Sequence, residues 1–145
     1  MEKMKIVLSV IFGGIAAFFR QYYLIIALVS AVIVFDFITG IIKAKIISNG
    51  WDSEKGTKGF FKKIVLLLSL MFGIFLDFSI PLALSSGIGV EMPFSTHFSL
   101  IIGFYIIFNE SISICENLYQ CNEKAVPKWV VDFLKITKDK LDAGE

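Results

Sequence analysis

Residues 22–42 read YYLIIALVSAVIVFDFITGII, an apolar run whose chief interruptions are Asp36 and Thr39. At about 1.5 Å per residue such a run reaches about 31 Å as a helix, enough to cross a hydrocarbon core of about 30 Å. Tyr22 and Tyr23 suit the headgroup level at one end, and Lys43 and Lys45 close the other. The run predicts a transmembrane helix, and the rest of the chain is read outward from it.

Upstream, Met4 to Phe19 is a second apolar run, closed by Arg20. Its reach of about 24 Å is short for a full crossing, so it is expected as a short span or an interfacial helix. Lys3 and Lys5 precede it as in a signal peptide. The small residues Gly13 to Ala17 lie inside the run and are followed by Phe18-Phe19, a poor cleavage site, so the segment is expected to be retained. Downstream, Ile46 to Lys63 reads as a polar loop with an Asn49-Gly50 turn. A third run spans about Ile64 to Leu84, interrupted by Asp77 and ending near Pro81. After a short loop from Ser85 through Glu91-Met92-Pro93, a fourth run covers about Phe94 to Cys115, with His97 near its start.

From Asn122 the chain turns polar. Pro127 suits the opening of a helix to Leu141. At 100° per residue, Lys128, Asp132, Lys135, Asp139 and Asp142 form one stripe, and Trp129, Val130, Phe133, Leu134, Ile136 and Leu141 fall on the other side. Such a helix packs on its own bundle or a partner copy, or lies on a membrane surface, although a surface helix usually has a more uniformly basic face. The expectation is an all-α integral membrane protein. Its membrane domain is 1–121, with helices at about 4–19, 22–42, 64–84 and 94–115, and residues 122–145 form an amphipathic cytoplasmic tail.

Composition agrees. Of 145 residues, 56% are hydrophobic and 19% charged, and the mean hydropathy is +0.76. Soluble domains carry about 45–50% apolar and about 25% charged residues. A net charge of +1 offers no field to steer a polyanion, which argues against a nucleic-acid partner. Cys115 and Cys121, six apart in a helical stretch, point to different faces and read as free thiols. There is no Walker loop, no cluster of zinc ligands and no nucleophile beside a base, so neither a cofactor nor an enzyme is expected. The one histidine, His97, reads as an interfacial residue near a helix end.

Lysine placement gives the orientation. Lys43, Lys45, Lys55, Lys58, Lys62 and Lys63 flank or occupy the first loop, and residues 85–96 hold no Lys or Arg. The positive-inside rule puts the first loop and the lysine-bearing C-terminus in the cytoplasm. If the first run spans, the N-terminus is also inside; if it is interfacial, the N-terminus is outside.

Asp36, Asp77 and Glu110 fall in or near the edges of apolar runs. A charge at the bilayer centre costs about 2.5–3.5 kcal/mol on insertion scales, so each needs a reason. Thr39, Gly40 and Lys43 share the face of Asp36, and Gly40 is a candidate for close helix approach. Ser113 and Asn117 share the face of Glu110. These acids either pair within the bundle, with Lys43, Lys62 and Lys63 able to snorkel to them, or line a wet seam between subunits.

These residues carry a resemblance. Asp36 to Ala44 is similar to the D-x-x-T-G-x-x-K-A signature of the toxin-secretion/phage-lysis holins. The following loop, with Ser48, Gly50, Trp51, Ser53, Gly56, Gly59, Lys62 and Lys63, matches their W-x-S-x-x-G-x-x-G-x-x-K-K pattern. Phe104 to Asn117 resembles their segment ending N-E-x-x-S-I-x-E-N. The likeness runs from about residue 22 to 136, departing in small ways at Ser111 and Cys121. It implies a holin, a protein that accumulates in the bacterial cytoplasmic membrane. There it oligomerises with itself among the lipids and opens timed lesions for an endolysin or a large toxin. It also implies assembly or pore-lining roles for Asp36, Thr39, Gly40, Lys43, Asp77, Asn109, Glu110, Ser113, Glu116 and Asn117. Two other classes stay open at this point. One is a small ion channel or proton-coupled transporter built on the three acids. The other is a membrane scaffold recruiting a soluble partner through its last helix.

Overall fold

A computed structural model describes residues 2–47, 53–87, 89–90 and 96–143. They form four helices in the order α1 (Glu2–Ile47), α2 (Ser53–Gly87), α3 (Phe98–Cys121) and α4 (Lys128–Ala143). The Asn49-Gly50 turn, Ser48, Trp51 and the Glu91-Met92-Pro93 stretch lie outside the described residues. The segments Arg20–Ile47, Gly56–Gly87 and Phe98–Cys121 are each long and apolar enough to cross a membrane.

The two N-terminal runs are one helix rather than two. Arg20 and Gln21 lower the hydropathy between them, but both are good helix formers and neither Gly nor Pro stands there. α1 therefore continues unbroken for 46 residues. The described side chains of its first part, among them Met4, Val10 and Phe12, are exposed. The expected polar loop is likewise shorter, because α2 already begins at Ser53 and Lys58 pairs with Glu54 one turn back at 2.7 Å. α2 also passes through Pro81 to Gly87 instead of ending there. Beyond it Gly89 takes φ 69, a left-handed conformation that suits glycine, and the Val90 N–H donates to the Leu84 carbonyl at 3.2 Å.

α3 is the central element. It packs on α1 and α2 and carries α4, whereas α1 and α2 touch each other least. α1 and α3 run in the same direction, with α2 antiparallel to both. Two glycines set the spacing. A Cβ on Gly73 of α2 would stand 3.0 Å from the Ser99 Cα, and one on Gly103 of α3 would stand 2.6 Å from the Ile25 side chain. Gly40 does not have this role: its nearest neighbour would be the Asn117 amide at 3.9 Å. The apolar core is one layer of Ile25, Val29, Ile33, Leu70, Ile74 and Ile106. Outside it, phenylalanines such as Phe35, Phe72, Phe75 and Phe104 are exposed. The buried polar residues Asp36, Thr39, Asp77, Ser99, Glu110 and Asn117 lie inside. Apolar outside and polar within is the arrangement a hydrocarbon solvent demands.

α4 turns back along α3 after Pro127. Val131 is buried, and Lys135 reaches Glu116 at 3.1 Å. Lys135, from the charged stripe, thus meets α3, whereas Trp129, Phe133 and Ile136 of the apolar side are exposed.

Candidate functional site

The polar residues gather at the two ends of the apolar layer. At the end nearer Lys43, three helices contribute to one network. Asp36 and Thr39 come from α1, Lys63 from α2, and Glu110 and Asn117 from α3. Lys63 Nζ donates to Asp36 Oδ2 and, at 2.6 Å, to Glu110 Oε2. Asn117 Nδ2 donates to Asp36 Oδ1 at 3.2 Å and to Thr39 Oγ1 at 3.4 Å. Lys43 Nζ donates to Asn117 Oδ1 at 3.2 Å, and Thr39 Oγ1 donates to the Asp36 carbonyl at 3.0 Å. Two carboxylates and two ammonium groups thus close on each other, with Asn117 serving both an anion and a cation. Among the described residues no buried side-chain nitrogen or oxygen lacks a partner.

Helical spacing explains the convergence. Asp36, Thr39 and Lys43 stand at i, i+3 and i+7 on α1, and Glu110 and Asn117 stand at i and i+7 on α3. Lys63 begins a stripe that continues as Leu66, Leu70, Ile74 and Asp77, so it points inward, whereas its neighbour Lys62 is exposed.

At the opposite end Asp77 caps α3 from another helix. Its carboxylate accepts from the Phe98 N–H at 2.6 Å, the Ser99 N–H at 3.0 Å and Ser99 Oγ at 2.5 Å. A negative charge at a helix N-terminus also meets the positive end of its dipole. His97 stands at the N-cap position without a capping hydrogen bond from its side chain. The Asp77 carbonyl, which Pro81 cannot serve because it has no N–H, accepts from Thr96 Oγ1 at 3.2 Å.

Of the residues singled out in the sequence, Asp36, Thr39, Lys43, Glu110 and Asn117 meet in one network. Asp77 lies apart, across the apolar layer. Gly40 sits beside Asn117 without a close helix approach. Asn109, Ser113 and Glu116 are half-buried and line a groove of about 370 Å³ between α3 and α4. The network's central donor, Lys63, was foreseen only as a snorkelling cation, and Gly73 and Gly103 were not foreseen at all. Cys115 and Cys121 are free thiols, each half-buried. Among the described residues, no group of three or more His, Cys, Asp or Glu side chains is placed to hold a metal ion.

A sequence profile of the bacteriophage holin family matches residues 7–139, nearly the whole chain. The chain belongs to the bacteriophage holin family. No curated protein and no solved structure gives a significant match. With three helices able to span, this holin-family chain is a multi-pass membrane protein. Membership points to a non-enzymatic role, and it gives the network a context. Ionised groups inside a membrane bundle are expensive, and here their pairing joins all three spanning helices.

Proposed function

We propose that this protein is a holin in the working sense. It accumulates in a bacterial cytoplasmic membrane, oligomerises, and opens lesions at a set time through which an endolysin or a large toxin leaves. The membrane domain is 1–121, and the tail 122–145, like the loop after α1, faces the cytoplasm. The observation that supports this reading is the closed interior of a single copy. Lys63, Asp36, Glu110 and Asn117 fill the polar end of the bundle, and an apolar layer fills the rest. A large passage must therefore be built between copies. Asn109, Ser113 and Glu116 on α3 are the polar residues nearest to hand for its walls or seams, and Asp36, Thr39, Lys43, Glu110 and Asn117 hold each subunit's shape during assembly.

A channel or proton-coupled transporter would favour acids converging at one depth. Asp77 and the Asp36–Glu110 pair instead sit on opposite sides of the apolar layer. The deciding experiment is induced expression in a bacterium loaded with a potential-sensitive dye, with and without a co-expressed endolysin. A holin gives a delayed, abrupt depolarisation, with lysis only when the enzyme is present. Gradual depolarisation in proportion to protein level, with the enzyme retained, would instead establish a small channel. A scaffold would leave the potential intact and lose its function on removal of residues 125–145.

A further inference from the structure

Among fourteen Lys and Arg residues Arg20 is the one arginine, and His97 is the one histidine. The fold brings both to the same end of the bundle, the end capped by Asp77. A groove of about 280 Å³ opens there between α1 and α3. Its walls are apolar, formed chiefly by Leu24, Leu28, Leu100 and Phe104, and its polar rim is formed by Gln21 and His97. Arg20 precedes Gln21 and lies one helical turn before Leu24, so it shares the face of α1 on which the groove begins. Its side chain is exposed.

We infer that this groove seats one anionic phospholipid from the leaflet at the Asp77 end. An acyl chain lies along Leu24, Leu28 and Phe104, and the phosphate lies at Arg20, Gln21 and His97.

Three observations commit the site to that occupant. The groove opens between two helices able to span a membrane, so a bilayer lipid is the molecule that meets it. Its apolar walls run from a polar rim toward the interior of the apolar layer, the sequence of environments a phospholipid presents from head to tail. The charge is complementary. Among the described residues the acid packed at this end is Asp77, and its carboxylate is turned into the start of α3 and holds three donors there. Among the described residues no acid pairs with the exposed Arg20 guanidinium, whose planar fork suits a phosphate. Arg20 ends the apolar stretch that precedes α1's spanning segment, so a long side chain there snorkels to headgroup depth.

Purified full-length protein, examined by native mass spectrometry after exchange into micelles doped with phosphatidylglycerol or phosphatidylcholine, tests this. The expected result is one phosphatidylglycerol retained per chain, with Arg20→Gln lowering retention about tenfold, the scale of one charge-assisted contact. Leu28→Trp, which fills the apolar part of the groove and keeps Arg20, lowers retention as well. Lys5→Gln, removing an equal charge farther up the same helix, leaves it unchanged. Equal retention by wild type and Arg20→Gln overturns the site. So does an equal loss in Lys5→Gln, which would mean a diffuse attraction for anionic lipid. Equal retention of phosphatidylcholine overturns the assigned headgroup, and displacement of the lipid by inorganic phosphate alone overturns the role of the acyl chain.

Discussion

The Thr96 hydroxyl donates to the main-chain carbonyl of Asp77 at 3.2 Å, filling the place that Pro81 leaves empty one turn further along α2. This bond satisfies the carbonyl that a proline inside a helix leaves without its usual donor. It also ties the approach to α3 onto α2. Thr96→Val should therefore lower stability by about 1 kcal/mol, through a carbonyl left without its donor. In a Pro81→Ala background the new N–H serves that carbonyl, and the same substitution should cost clearly less. Thermal unfolding in detergent, followed by circular dichroism, reads the four proteins of this cycle. An identical loss in both backgrounds would refute the link between the proline and the threonine.

Lys63 pairs with two buried carboxylates in the bundle. Removing it leaves Asp36 and Glu110 facing each other away from water. Lys63→Met should destabilise the protein by about 3–5 kcal/mol, the scale for breaking one side of a buried ion pair. Lys62→Met, one residue earlier and exposed, should stay within about 0.5 kcal/mol of wild type. Neutralising the acids together with the lysine, as Asp36→Asn, Glu110→Gln and Lys63→Met, should recover much of the loss. If the Lys62 and Lys63 variants melt alike, the network does not hold the helices.

The acids of this network were legible in the sequence because a charge inside an apolar run stands out. Lys63 was harder to place. It borders a cationic loop, where every lysine reads as an orientation signal, and only its register with Leu66, Leu70 and Ile74 separates it from Lys62. The break expected between Phe19 and Tyr22 is absent because hydropathy marks where charges fall, not where a helix stops. The continuation of α2 past Pro81 was hidden for the opposite reason: the residue that rescues it, Thr96, is fifteen positions away. The chain's three spans, their order and the family pattern depend on local runs and spacings, and those could be read directly.

The glycines rank by what a methyl group would meet. At Gly73 it would meet the Ser99 backbone, which cannot yield without separating α2 from α3, so Gly73→Ala should cost about 1–3 kcal/mol. At Gly103 it would meet the Ile25 side chain, whose tip can turn aside, and the loss should be smaller. Gly40→Ala meets only ordinary contact, and helix propensity favours it, so it should be neutral or slightly stabilising. Melting temperatures of the three variants test the order, and Gly40→Ala proving the worst would invert it.

Glu110→Gln keeps the size of the side chain but weakens its hold on Lys63. In cells carrying an endolysin, it should shift the onset of lysis by far more than Glu123→Gln, which changes an exposed acid. The comparison is made at matched membrane levels by following culture density after induction. Coincident lysis curves for the two variants would separate the network from timing altogether.

At about 1.5 Å per residue α1 is roughly 69 Å long, more than twice the thickness of a bilayer's hydrocarbon core. Among the described residues, the α1 positions packed in or against the apolar core begin at Tyr22, and the part before Arg20 extends the helix about 27 Å beyond them. A tilt of about 20°, ordinary for membrane helices, carries the tip of an arm of about 27 Å through roughly 9 Å. An inclination of that size, with its pivot near Ile25 and Gly103, corresponds to an offset about as wide as a helix at the N-terminal end of α1.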